Sequence, residues 1–376
     1  MPQLPAVPAF FDSMHIPDFT DSQLLSTPLG TVIVLDASIV SKPADPAYAN
    51  LVDNFYHGNP PYPDKIVLGY VPTYSANVPV SVDGFDDNTN VVTCTTYNTL
   101  VDLQAAIMTW INRWYQNYPQ IDGIFFDMGP EQDVAIVTTN VQDFYHSIYA
   151  SAAAMTTRSH RVLLNAAAYR GGVYADASDP QTYVESGWIL DSTKQACDLA
   201  ILWESEACVY FYHYPPPPPD GVPNQSNVPT WWPTSASPDA LKQRVSHTVF
   251  NCPNENDMER VVALSKDRGA GYLYVFDGPR AHYDHLAAPP AYWSAELGYM
   301  QSQAINNPPA APPENSYKFY VRDWTENSAN SDTGATPSTN PNFFTTSDVW
   351  NQLDTTSPTF TNDQPPLDGQ FVTETV

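Results

Sequence analysis

Eight short apolar runs, most of them closing on a polar tip, constrain this chain more than any other feature. They are Ala9–Ile16, Thr31–Ala37, Lys65–Val71, Ile121–Asp127, Arg161–Ala166, Leu199–Glu204, Ser246–Asn251 and Gly271–Asp277. Most are apolar throughout rather than alternating, which is the pattern of strands covered on both faces. Six carry a polar residue at the tip: Asp36, Asp127, Asn165, Glu204, Asn251 and Asp277.

Helical patterns lie between the runs. Leu103, Ile107, Trp110, Ile111 and Trp114 recur at helical spacing and form one apolar stripe. Val141, Phe144, Tyr145 and Ile148 repeat it in the next crossover. Ser237-Pro238 opens a short helix to Arg244, and Asn254 caps another that Gly269 ends. Eight strands with intervening helices over roughly 300 residues predict a (β/α)8 TIM barrel, with chemistry at the C-terminal ends of its strands.

The sharpest single segment is Ile121-Asp-Gly-Ile-Phe-Phe-Asp-Met-Gly-Pro130. A β-branched and aromatic strand delivers Asp127 to its tip, and Gly129 and Pro130 then turn the chain. Charge limits the partners such a tip can serve. At a net charge of −26 and a pI near 4.3 the chain repels phosphate backbones and anionic lipid, so nucleic acid is excluded as a partner. No apolar run approaches the length of a membrane span, so no membrane insertion is expected. The first residues, Met1-Pro-Gln-Leu-Pro-Ala-Val-Pro8, lack the basic start and apolar stretch of a secretory leader.

Cys94, Cys197, Cys208 and Cys252 contain no CxxC pair, so zinc is not expected. Cys197 and Cys208 flank one strand and stand too far apart to bridge. A Cys208–Cys252 disulfide stays open beside the expectation of buried thiols. His282-Tyr-Asp-His285 is read as structural, and no metal or cofactor is assigned.

Two long segments, 78–96 and 210–238, follow the third and sixth strands and rise over the C-terminal face. The second contains Pro215 to Pro219, which favours stiff polyproline II, and then Trp231-Trp232. From Asn306 the composition shifts to Pro, Asn, Ser, Thr and Asp with no helical period. Residues 1–305 therefore read as the barrel domain and 306–376 as an extended arm. The arm's aromatics, among them Phe319, Trp324 and Trp350, are expected to pack on the barrel or on a protein partner.

Several blocks together resemble the spherulin-4 (spherulation-specific family 4) proteins in order and spacing. They are Val67-Leu-Gly-Tyr-Val-Pro-Thr73, Asp102–Trp114, Ile121–Asp127, Arg161–Asn165, Asp198–Glu204, Gly269–Gly278 and Tyr283–Trp293, spanning about residues 10 to 295. The resemblance implies a TIM barrel related to glycoside hydrolases that act on galactosamine-containing polysaccharides. In that family the fourth strand ends Asp-Glu and a further Glu stands at the sixth. Asp127 and Glu204 match two of these acids, and Met128 stands in place of the third. The second strand has Asp36-Ala37 where the family has Asn-Pro, and the fifth has Asn165-Ala166 where it has Asn-Pro-Gly.

Glycoside hydrolysis needs two carboxylates flanking the scissile bond, one as acid and one as nucleophile or base. Asp127 and Glu204 are the candidate catalytic pair. Asp36, Tyr70, Tyr74, Asn165, Trp203 and Asp277 are the candidate substrate-binding residues, the aromatics by stacking on sugar rings. Glu131 is a further acid that could reach the site. Two functions follow. One is a barrel that binds, and cleaves, an amino-sugar polysaccharide drawn to its acidic rim, although Met128 argues for a degenerate site. The other is a non-catalytic structural or adhesion module of a surface, virion or secreted particle, attached through residues 306–376. Both place the protein outside the cell or on a particle.

Overall fold

The computed structural model describes residues 2–9, 24–35, 43–53, 64–73, 99–127, 141–155, 160–165, 172–174, 183–185, 192–212, 242–278 and 290–302. Ten strands fall within them. They are β1 (Leu4–Ala9), β2 (Val32–Leu35), β3 (Ile66–Pro72), β4 (Gly123–Asp127), β5 (Arg161–Asn165), β6 (Gly172–Tyr174), β7 (Tyr183–Glu185), β8 (Leu199–Glu206), β9 (Val245–Phe250) and β10 (Tyr272–Val275). Eight of them close a parallel barrel in the order β1-β10-β9-β8-β5-β4-β3-β2, and β6 and β7 pair antiparallel outside it. The helices are α1 (Pro46–Leu51), α2 (Leu100–Asn117), α3 (Val141–Met155), α4 (Ala207–Tyr212), α5 (Glu255–Asp267) and α6 (Trp293–Gln301). The (β/α)8 expectation is met.

Alternation along the strands divides the core into two layers. Ala6, Val32, Val34, Leu68, Phe125, Leu163, Leu199 and Ile201 form one buried cluster, which fills the barrel. Their neighbours Val7, Ile33, Val67, Ile124, Phe126, Val162 and Leu164 instead pack with Leu103, Ile107, Trp110 and Trp114 of α2 and Phe144 and Ile148 of α3. Both faces of each strand are thus covered, which is why the sequence runs are apolar throughout. Thr99 caps α2 by accepting from Asp102 N at 3.1 Å, and Asn254 caps α5 by accepting from Asp257 N at 3.0 Å. Gly269, at φ +79, ends α5 in the left-handed region expected of it.

One expected element lies elsewhere. The first described strand is Leu4–Ala9, which meets the expected Ala9–Ile16 only at Ala9, and residues 10–16 lie outside the described residues. Pro5 and Pro8 argue against a central strand, because proline has no N–H to give the ladder. The register removes the objection. Leu4 N donates to Gly271 O, so by alternation the edge at positions 4, 6 and 8 faces β10 and the edge at 5, 7 and 9 faces β2. Pairing with β2 begins at Ala6 and pairing with β10 ends at Pro5. Each proline therefore sits where its edge has no ladder bond to lose.

The segment 237–241 of the expected short helix, Cys94, and residues 303–376 lie outside the described residues. Cys197 and Cys252 are buried thiols outside any disulfide, so no Cys208–Cys252 bridge forms. Burial pushes the Cys197 thiol up to about 12 and raises that of Cys252 as well, so both are inert thiols. No helix among the described residues is long and apolar enough to cross a membrane.

Candidate functional site

Three strand tips meet at the C-terminal end of the barrel. Asp127 ends β4, Asn165 ends β5, and Glu204 stands near the end of β8. Asn165 joins the two acids: its Nδ2 donates to Asp127 Oδ1 at 2.8 Å and to Glu204 Oε2 at 2.6 Å. Bound to one amide nitrogen, the two oxygens stand about 5 Å apart at most. Asp127 and Glu204 are half-buried while Asn165 is 5% exposed, so the bridging amide lies beneath the two carboxylates.

Asp127 is held from several sides. Tyr70 Oη donates to its Oδ2 at 2.6 Å, so both carboxylate oxygens accept hydrogen bonds, as an ionised carboxylate does. Thr73 fixes its backbone, N and Oγ1 both donating to Asp127 O at 2.9 and 2.6 Å. The same Thr73 hydroxyl lies 3.0 Å from Tyr145 Oη on α3. Tyr70 is anchored in turn, its carbonyl accepting from Trp114 Nε1 at 2.8 Å and its ring lying 5.6 Å from Phe125. Two helices thereby fix the tips of β3 and β4.

Glu204 reaches the site through an irregularity. The β8–β9 register shifts between Ile201 and Trp203, so that Ile201 pairs with Ser246, Trp203 with His247 and Glu204 with Thr248. Ile201 belongs to the barrel interior, and Glu204 three residues later also faces inward to Asn165. A regular strand would put residues three apart on opposite faces, so the bulge reverses the alternation.

The bulge also moves Trp203. Strict alternation from Ile201 predicts an inward side chain available to a sugar. Instead Trp203 is 0% exposed and packs outward with Ala207, Tyr210, Val249 and Met258. It stacks on no ligand at the mouth, and its assignment to substrate binding does not carry over. Asp277 follows β10 and is exposed, accepting from Ala291 N at 3.4 Å, with no contact to the Asp127–Asn165–Glu204 group among the described residues. Asp36, Tyr74, Met128, Glu131, Trp231, His282 and His285 lie outside the described residues. No group of His, Cys, Asp and Glu able to hold a metal ion occurs among the described residues.

Thr73 and Tyr145 join the site without having been singled out for it. Thr73 closes the Val67–Thr73 block, and its place one residue beyond a strand's proline is the only signal that pointed to it. Tyr145 reads as one more apolar position on a helix.

The sequence matches no protein-family model and no curated protein. Solved structures share the outline. Sph3 of Aspergillus clavatus, in complex with GalNAc, is 12% identical with a TM-score of 0.46, over 80% of this chain and 98% of that one. Catalytic-site mutants of active domain 2 of a thermostable chitinase from Pyrococcus furiosus, complexed with chito-oligosaccharides, are 13% identical with a TM-score of 0.40, over 80% and 95%. The catalytic domain of a hyperthermophilic chitinase from the same organism is 12% identical with a TM-score of 0.39, over 81% and 98%. These values describe a distant likeness of architecture and assign no residue.

Proposed function

We propose that this barrel is a glycoside hydrolase acting on an amino-sugar polymer of the galactosamine type, with Asp127 and Glu204 as its carboxylate pair. The observation that carries the reading is the amide bridge of Asn165, which sets the pair about 5 Å apart. That separation is the one at which a carboxylate attacks the anomeric carbon directly and configuration is retained, because there is no room for a water between the two acids. Asp127, its two oxygens accepting from Tyr70 and Asn165, serves as the nucleophile. Glu204 protonates the leaving oxygen and then activates the water that releases the sugar. The chain's net charge of −26 supports a deacetylated, cationic substrate.

The decisive measurement is release of reducing ends from a galactosamine polymer. The wild type releases them, and Glu204→Gln abolishes release while leaving polymer binding intact. No turnover by the wild type at high enzyme loading would sink the reading.

Met128 favours a second reading, since it stands where the resembling family has a glutamate and can neither transfer a proton nor attack carbon. In that reading the mouth binds glycan without turnover, and residues 306–376 attach the barrel to a protein partner at a cell surface or on a particle. All barrel pairings lie within residues 2–302. A chain ending at 305 is therefore expected to unfold cooperatively, within a few degrees of the full chain, yet to lose assembly. Unchanged assembly in that truncation, followed by size-exclusion chromatography with light scattering, rejects the arm's role.

A further inference from the structure

The two acids of the site are delivered by unlike strands. β4 alternates regularly, with Gly123, Phe125 and Asp127 on one face. β8 does not: its inward residues are Leu199, Ile201 and then Glu204, with the register shift between. Glu204 faces Asp127 only because the strand carries one residue too many at this point. A β8 without the bulge would turn the Glu204 carboxylate into the apolar layer under α4 and α5, where a charge is costly to bury.

The bulge, whose surplus residue is Leu202, is pinned from outside the barrel through the next residue. Trp203, fully buried, meets Tyr210 of α4 edge-on at 5.2 Å. Helix α4 begins at Ala207 directly after β8, so Tyr210 follows Glu204 by less than two helical turns. Tyr210 is held in turn: its hydroxyl lies 2.7 Å from His247 Nδ1, the register partner of Trp203. The Arg268 guanidinium lies over the Tyr210 ring at 4.3 Å and donates to the Tyr210 carbonyl at 2.6 Å. An indole, a phenol, an imidazole and a guanidinium thus form one buried clamp around the strand tip, and none of them reaches the mouth.

We propose that Trp203 and Tyr210 are positioning residues: they lock the β8 bulge and so aim Glu204 across Asn165 at Asp127. The chemical consequence rests on the hydrolase reading, but the geometric claim does not. Misplacing a reacting group by about 1 Å costs on the order of a hundredfold in rate, so a bulge held only by backbone would not suffice.

The test uses the full chain labelled with 15N at asparagine, the Asn165 side-chain amide being assigned by its loss in Asn165→Ser. In the wild type its two hydrogens, both donated to carboxylates, resonate apart from the bulk and exchange slowly. Trp203→Ala is expected to unfold cooperatively at lower temperature while the Asn165 signals collapse toward bulk values. On a galactosamine oligomer its kcat falls at least tenfold with KM little changed. Trp203→Phe, which keeps an aromatic edge for Tyr210, recovers most of both. A folded Trp203→Ala with unaltered Asn165 signals overturns the proposal. Should that variant not fold, Tyr210→Phe, which removes only the hydroxyl facing His247, decides in its place: displaced Asn165 signals support the clamp and unaltered ones overturn it. Wild-type protein without turnover, but with Asn165 signals that respond to Trp203→Ala, rejects the hydrolase reading and leaves the clamp standing.

Discussion

The chemistry of this site turns on an amide. Two half-buried carboxylates about 5 Å apart repel, and a donor standing between them offsets the repulsion. Asn165 is that donor, giving one hydrogen to each acid from a single nitrogen. Removing it in Asn165→Ala leaves the acids facing each other without mediation. Turnover near neutrality is expected to fall by about a hundredfold. Asn165→Asp puts a third acid into the same space and is expected to be worse. Initial rates of reducing-end release near neutrality check both variants, and unchanged turnover in Asn165→Ala would show that the amide does not mediate between the acids. The sequence marked Asn165 as a polar strand tip, but not its bridging role, since that depends on β4, β5 and β8 being neighbours in this order.

At the scale of elements, strand existence was legible wherever burial on both faces left a continuous apolar run. Face and register were not legible where a single residue broke the rule. The bulge in β8 reversed the faces of Trp203 and Glu204, and no composition signal marks an extra residue in an apolar strand. Pro5 and Pro8 concealed β1, although each falls on an edge without a partner. The short β1–β10 ladder has a further consequence. Beyond Pro5 the β1–β10 ladder stops, and Val275 N–H, left without a strand partner, donates instead to Glu296 Oε1 of α6 at 2.9 Å. A helix carboxyl thus completes the barrel's closing seam. Glu296 is fully buried, and its Oε2 has no hydrogen-bond partner among the described residues. Burial, reinforced by the nearby Asp277 charge against the Val275 bond, raises its proton affinity well above the ordinary value of 4.5. Tyr274, whose own proton affinity is raised by burial and then by Glu296 and Asp277, adds no positive charge to the seam. The sign follows from the raised folded value. The contribution of Glu296 is complete below pH 4.5 and is lost as pH rises through the folded pKa. Glu296→Gln keeps the acceptor for Val275 and does not titrate. Its melting temperature should exceed that of the wild type at pH 7 to 8, the gap closing as pH falls toward 4.5. Calorimetric scans of both proteins across that range measure the gap, and a constant difference would mean that Glu296 does not titrate on unfolding.

For the molecule as a whole, the question is what 41 acidic and 15 basic residues do for a site with two acids at its centre. So large an excess costs folding energy through self-repulsion, and the barrel tolerates it because both faces of its strands are buried. For a polymer carrying an ammonium on every sugar, the same field becomes an attraction extending beyond contact distance. Salt separates this long-range part from the local one. The Debye length is about 10 Å at 0.1 M and about 3 Å at 1 M. Attraction from the acidic surface at large is therefore screened over that range, while the half-buried Asp127 and Glu204 are screened much less. Binding of a deacetylated galactosamine oligomer is accordingly expected to weaken by about tenfold between 0.05 and 0.5 M salt, with the loss mainly in the association rate. The N-acetylated oligomer, which is neutral, should change by less than about twofold over the same range. Titration calorimetry gives the two affinities and stopped-flow fluorescence of the rim aromatics gives the rates. Equal salt dependence for both oligomers would remove the charge argument and leave recognition to hydrogen bonds and stacking at the mouth. A steep dependence confined to the cationic oligomer would tie the composition of the whole chain to the two acids at its centre.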